Sequence, residues 1–129
     1  MSVYTPSPLV KRLGLKPGDK IRLIGAPANY ETLLGTLPEG VEHIRRGEAD
    51  FIQLFTVSKK DLKKYLPLMK EGLKKEGALW VCWMNNRKGF ESELSETLIR
   101  KTAQTLGLSE VKGCDIDEYW TGLKFMIRK

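Results

Sequence analysis

Four short stretches of the chain hold the residues best able to do chemistry. Gly25-Ala26-Pro27-Ala28-Asn29-Tyr30 offers backbone amides beside a glycine, and Asn85-Asn86-Arg87-Lys88 offers two carboxamides and two cations. Asp115, Asp117 and Glu118 supply carboxylates with Trp120 close behind, and Arg45-Arg46 supplies paired guanidiniums. Carboxylates can act as a base or grip a cationic group, and an indole can stack on a flat ligand. Cations facing such a wall would suit a small anionic or zwitterionic molecule. A competing reading makes Asp115 to Trp120 a polar hairpin turn, salt-bridged to a neighbouring loop, with Trp120 as a packing anchor. Arg45-Arg46 favours a phosphate, or else is a solvated strand end.

Several chemistries drop out at once. His43 is the sole histidine and sits at a strand edge, so no Ser-His-Asp or Cys-His arrangement can be assembled. Cys82 and Cys114 form no C-x-x-C, which removes a zinc site; both lie in predicted strands and read as buried, reduced thiols. Glu91 and Glu93 beside Ser92 favour a helix start through the dipole.

The elements that must position these residues alternate. Ser7-Pro8 opens a short helix with Leu9, Val10 and Leu13 on its apolar face, closed by Gly14. Lys16-Pro17-Gly18-Asp19 turns into a strand over Lys20 to Ile24, and a brief helix follows over Tyr30 to Leu34. A second strand is expected over Val41 to Arg45 and a third over Asp50 to Phe55. Ser58 caps a long helix with Leu62, Leu66, Met69 and Leu73 as its stripe, ending at Glu76-Gly77; Pro67 should kink or restart it. Ala78 to Trp83 is apolar on both faces, which suits a central strand. A helix from about Ser92 to Leu106 buries Leu94, Leu98, Ala103 and Leu106, with Ile99 beside them. Strands over Val111 to Ile116 and Leu123 to Arg128 are joined by Asp117 to Gly122, too short for a crossover, hence an antiparallel hairpin.

Composition sets the frame. With 129 residues, 41% hydrophobic and 29% charged, the chain fits a single α/β domain spanning 1–129 with a core of its own. A net charge of +6 favours anionic partners without choosing among them. No stretch approaches the ~20 apolar residues of a membrane span, so a cytoplasmic protein without a membrane partner is expected. Oligomeric state is not legible.

LGLKPGDKIRLIG, DFIQLF and LPLMKEGLKKEGALWVCW, followed by the hairpin Cys114 to Lys129, resemble the Rossmann-like fold of S-adenosylmethionine-dependent methyltransferases in shortened form. The whole chain also resembles an uncharacterised bacterial family of small methyltransferase-like proteins, a domain of unknown function, through Trp120-Thr121-Gly122-Leu123-Lys124. The resemblance implies a three-layer sandwich with a mostly parallel sheet in the order 2-1-3-4-6-5 and strand six alone antiparallel. It also implies S-adenosylmethionine over the loop after strand one, with Gly25, Ala26, Asn29, Arg45 and Arg46 as cofactor-binding candidates. The family's Gly-x-Gly is here Gly25-Ala26-Pro27, and its ribose-binding carboxylate is replaced by Arg45-Arg46. A third strand and its helix are missing too, so the second strand must be very short for the chain to return across the sheet.

In such a sheet ligands bind where the parallel strands end. Asn85, Asn86, Arg87 and Lys88 should line one wall there. Asp115, Asp117, Glu118 and Trp120 should line the other, with Gly25 to Asn29 as floor. Three readings compete. One is a non-catalytic ligand-binding or regulatory domain, which the degenerate loop favours. The next is a small methyltransferase, or an enzyme acting on a phosphorylated ligand. The last is a nucleic-acid binder using the lysine-rich helix, disfavoured because Tyr65 is its only aromatic.

Overall fold

The computed structural model describes residues 9–84, 94–117 and 119–128. Six strands form one sheet in the order β2-β1-β3-β4-β6-β5, as expected. The first four, β2 (Glu42–His43), β1 (Lys20–Ile24), β3 (Ala49–Thr56) and β4 (Leu73–Met84), pair in parallel. The last, β6 (Trp120–Ile127), runs antiparallel to both β4 and β5 (Leu108–Asp115).

Helices cover both faces. Against one face pack α3 (Lys59–Glu71) and α4 (Glu96–Thr105), burying Leu62, Leu66, Met69, Ile99 and Ala103 over Ile52, Leu54, Leu79 and Val81. On the other, α1 (Leu9–Leu13) and α2 (Tyr30–Leu34) bury Leu9, Leu13, Tyr30 and Leu34 over Ile21, Phe51, Phe55, Trp80 and Cys82. The Trp80 indole donates to the Leu13 carbonyl at 3.1 Å, pinning α1 to the central strand. The sequence of β4 explains the split: from Ala78 to Met84 every position is apolar, so the strand serves both cores at once.

Strand two is shorter than the expected Val41 to Arg45. Only Glu42 and His43 pair, opposite Lys20 and Ile21. The chain must then turn back toward β3, and the Arg22 guanidinium holds that return by donating to the Gly47 carbonyl at 2.6 Å. Five residues, 44 to 48, do the work of a crossover helix. Brevity of β2 was the geometric requirement, and it is met.

The long helix does not restart at Pro67, which lies inside one continuous α3. Leu66 and Met69, both anchored in the core, hold the turns on either side of it. Ser58 caps it as expected, its hydroxyl accepting from the Asp61 amide at 3.3 Å. The helix ends at Gly72, not at Glu76-Gly77, because the Gly72 carbonyl is taken by the Ala49 amide of β3 at 2.8 Å. Leu73 therefore opens β4 and Lys74 and Lys75 leave the helix altogether. The apolar spacing continued past the true end because Leu73 is buried in either setting.

Between the pairs Ala49–Leu73 and Phe51–Ala78, β4 advances by more residues than β3, so 74 to 77 bulge out of the ladder. Helix α4 starts later than expected, with Ser95 accepting from the Leu98 amide at 3.1 Å. Its buried stripe is Ile99 and Ala103, while Leu98 and Leu106 are only half-buried. The final hairpin is tighter than Asp117 to Gly122: β5 runs to Asp115 and β6 begins at Trp120. One Asp117 carboxylate oxygen accepts from both the Tyr119 and Trp120 amides at 2.8 Å, closing the turn early. Cys82 and Cys114 are both free thiols; Cys82 is buried, but Cys114 is half-exposed because β5 is an edge strand. Among the described residues no helix is long and apolar enough to cross a membrane.

Candidate functional site

The parallel strands end together at one edge, where the loop after β1, the residues after β3 and the β5–β6 turn converge. Gly25 leaves β1 with φ +71°, and a Cβ there would lie 2.6 Å from the Phe55 carbonyl oxygen. Glycine is thus demanded twice, by the left-handed backbone and by the close approach to β3. Ala26 is half-buried against the core, and Asn29 is exposed just ahead of α2, its side chain making no cap bond.

Beneath this loop three rings from three elements meet edge to face. Tyr30 of α2 lies 4.7 Å from Phe55 of β3, and Phe55 lies 5.2 Å from Trp120 of β6, centroid to centroid. Such contacts are worth about 0.5–1.5 kcal/mol each beyond the area they bury. The placement follows from the register: Trp120 pairs with Met84 at the last position of β4, bringing its indole to the ligand edge. Trp120 is half-buried, so part of the ring faces out.

A buried polar chain runs below the rings. The Tyr30 hydroxyl donates to the Gln53 carbonyl oxygen at 2.5 Å, and the Gln53 amide donates to the Cys82 sulfur at 3.3 Å. Burial pushes the Cys82 thiol up to about 12, against the opposing pull of the Gln53 bond. Burial, helped by the neighbouring Cys82, raises Tyr30 as well. Both groups are neutral at physiological pH, so the chain is an uncharged hydrogen-bonded support within the core. The signal for it was visible in DFIQLF, where a glutamine interrupts a strand otherwise buried on both faces.

On the β5 side, the Asp115 carboxylate accepts from the Thr121 hydroxyl at 3.2 Å. The backbone carbonyl of Asp115 accepts from the Arg12 guanidinium at 2.9 Å. Arg12 also approaches the Cys114 sulfur, at 3.7 Å. Nothing in the sequence links Arg12 of the first helix to a strand more than a hundred residues away; only the sheet order does. Asp117 is half-buried, with one oxygen committed to the turn.

Strand order and direction therefore place Gly25, Ala26, Asn29, Asp115, Asp117 and Trp120 at the same edge of the sheet. Asn85, Asn86, Arg87, Lys88 and Glu118 lie outside the described residues. Arg45 and Arg46 lie at the β2 margin of the sheet. They are exposed in the bend after β2, whose last pair sits opposite Ile21, three residues before the Ile24 that ends β1. At ~3.3 Å per residue this leaves β2 about 10 Å short of the Gly25 loop. The edge fits S-adenosylmethionine at Gly25: Pro27 has no backbone N–H to offer, and the residues that follow β2, Ile44, Arg45 and Arg46, include no carboxylate to meet a ribose. The described residues do not build the full cofactor cradle.

No family model matches the chain, and no curated protein matches it. Its fold is nonetheless shared with solved structures. It is similar to an S-adenosylmethionine-dependent methyltransferase from Aquifex aeolicus, with a TM-score of 0.65 and 16% identity over 92% of this chain and 87% of that one. It is also similar to the ribosomal protein L11 methylase of Lactobacillus delbrueckii subsp. bulgaricus, with a TM-score of 0.63 and 11% identity over 94% and 75% of the two chains. A third likeness is to Aeropyrum pernix fibrillarin in complex with natively bound S-adenosyl-L-methionine, with a TM-score of 0.61 and 12% identity over 92% and 73%. The six-stranded mixed sheet, with its strand order and single antiparallel strand, is a Rossmann-like methyltransferase fold.

Proposed function

We propose that the chain is a reduced methyltransferase-fold module that binds a small zwitterionic or anionic ligand at the C-terminal edge of its sheet and transfers no methyl group. The observation that carries this reading is the two-residue β2, which stops below the Gly25 loop and leaves the cofactor's ribose without a wall. The rest of the edge is kept: Trp120 half-exposed over Phe55, and Asp115 exposed beside it. Asn85, Asn86, Arg87 and Lys88 supply the opposing wall in this reading, with Glu118 added to the acids. Membership of the small bacterial family with the W-[ST]-G-[LT]-[KR] segment, and a cytoplasmic setting, belong to the same reading.

Titration calorimetry tests it. S-adenosylmethionine should bind more weakly than about 1 μM, that is, by less than about 8 kcal/mol. Submicromolar binding would mean that the cofactor pocket works and that the reading is wrong. A thermal-shift screen against nucleotides, phosphorylated metabolites and zwitterions should find the ligand. Asp115→Asn combined with Trp120→Phe, which keeps a ring against Phe55, should abolish the shift it causes.

The second reading is a working S-adenosylmethionine-dependent methyltransferase. It is favoured by the left-handed Gly25 at the end of β1 and by the likeness to a fibrillarin with that cofactor bound. The same calorimetry separates the two.

A further inference from the structure

At the opposite edge of the sheet, where the parallel strands begin, a cavity of about 460 Å³ opens between the end of α1, the β4 bulge and the second half of β6. Gly14, Lys16, Asp50, Lys74 and Lys124 are among its lining residues. Its acids are largely spoken for. Asp50 accepts from the Lys20 amide at 2.8 Å and pairs with Lys74 at 3.2 Å, and Asp19 accepts from the Lys16 amide at 3.0 Å.

The amines of Lys16, Lys112 and Lys124 are treated differently. Lys112 and Lys124 are direct cross-strand partners on β5 and β6. Like charges placed opposite one another destabilise a sheet. Lys124 is half-buried, and its amine lies so close to the end of α1 that a Cβ on Gly14 would come within 3.2 Å of it. Among the described residues no hydrogen bond or ion pair answers any of the three amines. Burial first, and then the charges of Lys112 and Lys16, hold Lys124 below the usual lysine range, with no carboxylate offsetting them. Such an arrangement costs the fold stability, and a bound anion would offset that cost.

We propose that Lys16 and Lys124, which line the cavity at the N-terminal edge of the sheet, bind there a small molecule bearing two or more phosphate groups, with Lys112 adding its charge from across the ladder. The cavity volume falls within the few hundred to ~1,000 Å³ of small-molecule sites. Asp19 and Glu76 line the cavity beside the lysines, so its basic surface is interrupted, which suits a compact anion better than a long polyanion. The proposal is independent of any ligand at the opposite edge.

Inorganic pyrophosphate is the probe. It should raise the thermal midpoint of the chain saturably, while sodium chloride at matched ionic strength does not. Lys124→Met, which keeps most of the aliphatic stem, should lose the shift and unfold no earlier than the parent in the absence of pyrophosphate, since a repelled charge has been removed. Lys112→Gln, on the exposed edge, is the companion should Lys124→Met fold poorly; it should weaken pyrophosphate at least several-fold. Lys101→Met on α4 should bind as the parent does. A shift reproduced by chloride, or retained in both variants, overturns the proposal. Tighter, Lys124-dependent binding of single-stranded RNA than of pyrophosphate would overturn the small-molecule assignment.

Discussion

Gly25 shows how much one residue can constrain an edge. Its φ of +71° and the 2.6 Å that a Cβ would leave to the Phe55 carbonyl oxygen allow no side chain without a shift of backbone. Gly25→Ala should therefore lose about 1–3 kcal/mol, the usual cost of holding a side chain in strained backbone, and urea titration should show it as a lower midpoint. An unchanged midpoint would mean that the β1–β3 approach relaxes freely. Gly77, in the bulge, is confined by space alone: a Cβ there would lie 2.7 Å from the end of Leu73 and 2.9 Å from the Asp50 carbonyl oxygen, without the left-handed backbone of Gly25.

Elements reveal where sequence reading succeeds and where it stops. The antiparallel β6 and the brevity of β2 followed from connection lengths, which are properties of the chain alone, whereas the strand order came from the resemblance to methyltransferases. Ends were harder. Leu73 continued a helical stripe although it belongs to β4, since periodicity cannot register a carbonyl claimed by a neighbouring strand. The hairpin was drawn too long because Asp117 reads as a loop acid, whereas its carboxylate closes a turn of Ile116 to Tyr119. That correction carries its own expectation. Asp117→Ala should cost about 1 kcal/mol through two lost turn bonds, while Asp117→Asn, which keeps the accepting oxygen, should cost clearly less. Chemical denaturation of both variants checks this; equal losses would assign the effect to charge, not to turn closure. The candidate site was legible only in part: the Gly25–Tyr30 loop, Asp115 and Trp120 reach the predicted edge by strand order, but the contacts of Phe55 with Tyr30 and Trp120 and the reach of Arg12 come only from tertiary packing.

For the molecule as a whole, the polar chain through the core on the α1–α2 side makes stability depend on alkaline pH. The folded chain holds the Cys82 proton more tightly than an unfolded one, whose thiol titrates near ~8.5. Tyr30 acts in the same direction, from an ordinary value near ~10. The stabilisation is therefore complete below about pH 8.5 and falls as pH rises toward the folded Cys82 value of about 12. Denaturation midpoints at pH 7.5 and 10 should show the decline, and Cys82→Ala should flatten it. A slope unaltered by that substitution would place the alkaline sensitivity elsewhere.

The sheet has two open margins, and each is protected against adding a foreign strand by a different device. On one side β2 is so short that it presents almost no ladder to copy. On the other, β5 is eight residues long and, among the described residues, pairs with β6 along one side. There the register slips between Glu110 and Lys112, and Glu110, Lys112 and Asp115 place charge along the rim. Irregularity and charge are the usual guards of an edge that shortness does not defend. Lys112 thus answers to two pressures at once: the charge that repels Lys124 across the ladder also keeps a second β5 from docking in its place.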